Sequence, residues 1–77
     1  MKEKILAILK EIQPDFAFED GVDFIEEGYL DSFDIVQLVA ELEGQFKIVI
    51  SALDIVPENF NSAEAIRALV EKSQKRA

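Results

Sequence analysis

Three stretches of this chain place apolar residues at the helical interval, and that rhythm limits the fold more than any other feature. Ile5, Ile8, Leu9 and Ile12 stand at i, i+3, i+4 and i+7, which aligns them on one helix face. Pro14 closes the stretch, so a first helix is expected over residues 2–13. In the second stretch Ile35, Leu38, Val39, Leu42 and Phe46 share a face, with Asp34, Gln37, Glu41 and Gln45 opposite. This predicts a helix from Ser32 to Phe46 with Asp31 or Ser32 as its N-cap. Phe33, Val36 and Ala40 form an apolar strip beside the core face. The strip either packs beneath the preceding loop or offers a shallow docking surface. Ile66, Leu69 and Val70 supply the third stripe, capped by Asn61 or Ser62 and fraying in Lys75-Arg76-Ala77. Asn61 and Glu64 have the spacing of a capping box.

The connections carry signals of their own. Residues 15–31 form a long acidic loop that also holds Phe16, Phe18, Val22, Phe24 and Ile25. Loops of this length in small domains are functional or pinned by their own side chains, and the aromatics predict pinning. Phe46 to Ile50 alternates like a strand. One strand has no partner in a helical chain, so an extended connector with Ile48 and Ile50 inward is expected. Asp54 to Phe60 has room for a short helix at most, with Pro57 in its first turn. The expected fold is all-α: a small four-helix bundle of three main helices and one short one, a single domain over residues 1–77.

Composition narrows function. At 49% apolar residues the 77-residue chain can build a core without disulfides. It has no Cys and no His, hence no thiol nucleophile, imidazole base or structural zinc ligand set. A reactive group, if there is one, must be imported. The net charge is −8, and between Glu11 and Phe46 there is no Lys or Arg. That field repels nucleic acid and anionic membranes and attracts a basic protein surface. The apolar run near Met1 is too short and too charged for a signal peptide or a membrane span. A monomer in the cytoplasm, without membrane insertion, is expected. Aligning Gly21 with the EF-hand glycine puts Phe16 and Phe18 where oxygen ligands belong, so that calcium motif fails. No metal site and no catalytic residue is expected.

Ser32 then stands out. A phosphodiester on its oxygen would sit at the positive end of the second helix, a gain of roughly 0.3–1 kcal/mol. Asp31 beside it would push the attached group outward. By chemistry alone, capping and modification both remain open.

Leu30-Asp31-Ser32-Phe33, the run Glu41-Leu42-Glu43-Gly44-Gln45-Phe46, the spaced Ile48-Val49-Ile50 and the segment from Asp54 to Phe60 together resemble the acyl carrier protein family. The resemblance implies a non-catalytic carrier. Its Ser32 would bear 4′-phosphopantetheine, transferred from coenzyme A by a phosphopantetheinyl transferase, and the arm's thiol would hold an acyl or aminoacyl thioester. Asp31, Asp34, Glu41 and Glu43 would meet basic surfaces on partner enzymes, with Phe33, Val36 and Ala40 as the apolar part of the contact. Those partners would be the transferase, a loading ligase or acyltransferase, and downstream acyl-using enzymes. Phe33 after the serine, Gln37 in place of an acid and Ser51 in place of proline depart from the fatty-acid pattern. The Phe24-Ile25-Glu26-Glu27-Gly28 lead-in and the Phe-x-Ile-x-Ile connector are similar to D-alanyl carrier proteins. The competing reading is an unmodified acidic helical adaptor.

Overall fold

The computed structural model describes residues 1–76. Three α-helices are present, α1 (Lys2–Ile12), α2 (Ser32–Phe46) and α3 (Ala63–Arg76), with no strand among the described residues. Where the sequence predicted one short helix over residues 54–60, there are instead two 3-10 turns, Ala52–Asp54 and Pro57–Asn59. Pro57 explains the break: its ring disfavours helical backbone at Val56, which is extended at φ −131°, ψ 153°. The frayed end expected at Lys75 and Arg76 is helical up to Arg76, and Ala77 lies outside the described residues.

α1 packs on both α2 and α3, and the predicted stripes meet there. Ile5, Ile8 and Leu9 face Leu38 and Leu42 of α2 and Ile66, Leu69 and Val70 of α3 in one buried cluster. Ile12, Ile35, Val39 and Phe46 close its margins, half-buried. Among the described residues no helix is long and apolar enough to cross a membrane.

The long loop is pinned, as its aromatics predicted. Phe24 is fully buried, its N–H donates to the Asn61 carbonyl at 2.9 Å, and its own carbonyl accepts from the N–H groups of Tyr29 and Leu30. Phe18 meets Phe24 edge-on at 4.9 Å, while Phe16 stacks on Tyr29 at 4.4 Å. These are the two rings that spoiled the calcium register. Gly28, at φ +76°, turns the chain back toward α2 in a conformation that side chains resist.

The caps resolve one pair of alternatives each. Asp31, not Ser32, caps α2: it accepts from the Asp34 N–H, and Asp34 reciprocates in a capping box. At α3 the Ser62 hydroxyl accepts from the Ala65 N–H at 3.0 Å. Ser62 is thus the cap, and the capping-box spacing of Asn61 with Glu64 goes unused, while the Asn61 backbone carbonyl accepts from Phe24.

After α2 the chain reverses at Lys47, in left-handed conformation with φ 54°. Ile48 and Ile50 then turn inward and Val49 outward. The lone extended segment lacks a neighbouring strand, and a side chain stands in for one: the Glu43 carboxylate accepts from the Ile50 N–H at 2.9 Å.

Ser73 on α3 is 2% exposed, and its hydroxyl has no hydrogen-bond partner among the described residues. Burying an unpaired hydroxyl costs about 1–3 kcal/mol. Ser73→Ala is therefore expected to stabilise the fold by about 1 kcal/mol, read as a melting temperature higher by about 4–8 °C. A lower melting temperature would show that the hydroxyl has a partner.

Candidate functional site

The chain has four serines, at 32, 51, 62 and 73, and no Thr. Their surroundings differ. Ser51 caps the first 3-10 turn by accepting from the Leu53 N–H, Ser62 caps α3, and Ser73 is buried. Ser32 is exposed at the first position of α2, and Asp31 relieves it of the capping role. It is the serine whose hydroxyl is both accessible and free of a cap.

Beside Ser32 lies an open cleft of about 280 Å³, lined by Ser32, Ile35 and Val36 of α2 and by Ile55, Val56, Pro57 and Phe60. Its far wall was not foreseen from the sequence. Ile55 and Val56 were expected only as parts of a short helix, and the proline break is the signal that could have marked them as a separate wall. Phe33 and Val36 stand exposed at 74% and 66%. Of the two fates open to the strip of Phe33, Val36 and Ala40, packing under the loop is thus excluded.

The expected acidic docking set divides. Glu41 is exposed. Asp31 is exposed too, although one of its carboxylate oxygens is held by the Asp34 N–H at 2.8 Å. Asp34 is 7% exposed and engaged by Gln13 and by the Asp31 N–H. Its expected place on the polar face needs correction: a cap side chain folds back over the helix end. Glu43 likewise turns toward the connector to hold Ile50. Neither Asp34 nor Glu43 projects a free charge outward.

The cleft wall is anchored from behind. Asp54 is buried and accepts from Lys72 Nζ at 3.0 Å and from Arg76 Nη1 at 2.8 Å. The hydrogen bond from Lys72 is the main reason its carboxyl titrates below the usual aspartate range. Burial opposes that shift, and Arg76 adds to it. A folded-state pKa below the unfolded one stabilises the fold fully above the ordinary value of about 3.9 and loses that contribution as pH falls through the lowered one. The stability difference between wild type and Asp54→Asn is therefore expected to be constant from about pH 5 to 8 and to shrink below about pH 4. Urea titrations at a series of pH values would check this, and a difference that grows in acid would contradict it. Among the described residues no group of three or more Asp or Glu could hold a metal ion.

An exposed serine at a helix start beside an apolar cleft suits a covalently attached group. The family model described as "Phosphopantetheine attachment site" matches residues 2–71. The chain belongs to this family. The family's domain is the attachment site for covalent 4′-phosphopantetheine, and this chain is a carrier protein. Curated relatives agree. The carrier is 36% identical over 74 residues to a D-alanyl carrier protein of Lactococcus lactis subsp. cremoris, covering 94% of each chain. It is 34% identical over 76 residues to one of Lactococcus lactis subsp. lactis, covering 96% of each. To one of Streptococcus suis it is 34% identical over 67 residues, covering 86% of this chain and 85% of that one.

Proposed function

We propose that this chain is a single carrier domain whose Ser32 bears the 4′-phosphopantetheine arm and whose cargo is D-alanine. The observation that supports the attachment residue is the contrast among the four serines, of which Ser32 alone is exposed and free of a cap. The Ser32 oxygen displaces the nucleotide half of coenzyme A at the pyrophosphate. Its proton passes to a base, the 3′,5′-bisphosphate nucleotide leaves, and a phosphodiester to the arm is left. The bound arm supplies the thiol that holds the cargo. The positive end of α2 favours the new phosphate, while the like charge of Asp31 beside it turns the arm outward. Ile35, Val36, Ile55 and Val56 give the arm an apolar wall to lie against. The two 3-10 turns take the place of the fourth, short helix in a four-helix reading.

The cargo reading rests on the relatives being D-alanyl carrier proteins and on Phe33 following the serine. The expected setting is cytoplasmic, with a phosphopantetheinyl transferase and an adenylating ligase as partners. The test loads the apo protein with coenzyme A, Mg²⁺ and a transferase, then offers ATP with D-alanine or a fatty acid and the matching purified ligases. D-alanine on the arm supports the reading. A loaded arm that accepts only the fatty acid overturns the cargo and leaves the carrier.

Docking follows the exposed groups. Phe33→Ser is expected to raise KM for the ligase by about ten-fold, the loss of one buried aromatic anchor. Glu41→Lys should slow association with a basic partner at low salt and less so at high salt. Unchanged kinetics in both variants would remove this face from the contact.

A further inference from the structure

Pro14 keeps Gln13 off helical backbone. At φ −134°, ψ 81° this residue ends α1 while its N–H still bonds the Leu9 carbonyl. Its side chain is thereby free to cross to the next helix, and Nε2 donates to Asp34 Oδ2 at 2.8 Å. The same oxygen accepts from the Asp31 N–H at 3.2 Å, while Asp31 Oδ1 accepts from the Asp34 N–H at 2.8 Å. Ser32 lies inside the ring that these bonds close. Asp34 is buried, so its carboxylate depends on these donors, and losing one leaves an underpaired charge.

We propose that Gln13 and Asp34 form a positioning pair for Ser32: the amide at the end of α1 holds the α2 cap shut and so fixes the direction in which the Ser32 hydroxyl leaves the helix. The proposal rests on Ser32 being the attachment residue. It makes the end of α1, far from Ser32 in sequence, a determinant of how Ser32 is presented to a transferase. A plain stability role would affect the whole molecule evenly. A positioning role acts on the first turn of α2 and on the reaction there.

Gln13→Met keeps the length of the side chain and removes its N–H donor, so it isolates the bond. Ile66→Val, in the buried face of α3, serves as a control that loosens the core away from Ser32. Arm transfer from coenzyme A by a purified transferase is measured for both and for wild type, with kcat and KM separated. Amide hydrogen exchange at Asp34 is followed in parallel. Gln13→Met is expected to lower kcat/KM by about five- to ten-fold, mainly through kcat, because the nucleophile is misdirected rather than the docking face lost. Exchange at the Asp34 amide should speed by about ten-fold. Ile66→Val should leave kcat/KM within about two-fold, as expected for a distant site. Equal losses in the two variants, or unchanged Asp34 exchange in Gln13→Met, overturn the positioning role. A wild type that accepts no arm at Ser32 removes the attachment reading and the positioning role together, a result distinct from a wild type that loads and a variant that loads as well.

Discussion

Phe24→Ala is expected to destabilise the carrier by about 3–5 kcal/mol, the cost of emptying a fully buried aromatic site. Small domains have roughly 5–15 kcal/mol in total, so about a fifth of the stability or more would be lost. The melting temperature should fall by about 15 °C or more. The size of the effect follows from the ring's place: fully buried, edge-on to Phe18 and close to Tyr29, with its backbone joined to Asn61 just before α3. Phe16, stacked on Tyr29 at the rim and half-buried, offers a comparison, and Phe16→Ala should cost only about 1 kcal/mol. Similar losses in the two variants would mean that the loop is held evenly along its length rather than nailed at Phe24. The consequence for function is direct. The loop leads into Asp31 and Ser32, so loosening Phe24 is also expected to expose the start of α2 to faster amide exchange.

Much of this arrangement was legible in the chain because it is periodic or local. The stripes through Ile5, Leu38 and Ile66 predicted three helices whose buried faces agree with the structure. Pro14 predicted an end of α1 at residue 13, and the helix ends one residue earlier, at Ile12, with Gln13 as its C-cap. What escaped the sequence depends on long reach or on competition between equals. The Asp54 ion pairs span 18 and 22 residues, and the Gln13 to Asp34 bond spans 21. No periodicity marks such pairs. Asp34 and Glu43 lie among the polar positions of α2, where solvent is the default environment, and only the geometry shows that one completes a cap while the other serves the Ile50 N–H. Asn61 matched a capping-box pattern, yet its neighbour Ser62 took the cap, with α3 starting one residue later at Ala63. Around Ser32 the sequence offered the candidate serine and an apolar strip with Phe33 and Val36, and left open whether that strip is covered; the structure exposes both residues. The facing wall of Ile55 and Val56 arose from a proline break whose consequence is visible only in three dimensions.

The second large effect concerns Ser32 itself. Ser32→Ala is expected to leave stability within about 0.5 kcal/mol, as for an exposed side chain outside any structural feature. The cap belongs to Asp31, and the alanine helix propensity is favourable. Arm loading should nevertheless vanish completely, since the oxygen that forms the phosphodiester is gone. Ser51→Ala and Ser62→Ala should behave in the opposite way: each loses a cap bond, costing about 1 kcal/mol, while loading persists. This crossed pattern separates chemistry from folding. An unmodified adaptor would give no loading in any of the four proteins. The most direct measurement incubates the apo protein with coenzyme A, Mg²⁺ and a phosphopantetheinyl transferase, digests it, and maps the modified peptide by tandem mass spectrometry. The account predicts one phosphopantetheine on Ser32 of the wild type and none on Ser32→Ala. An arm on Ser51, Ser62 or Ser73, or a wild type that stays unmodified, would contradict it.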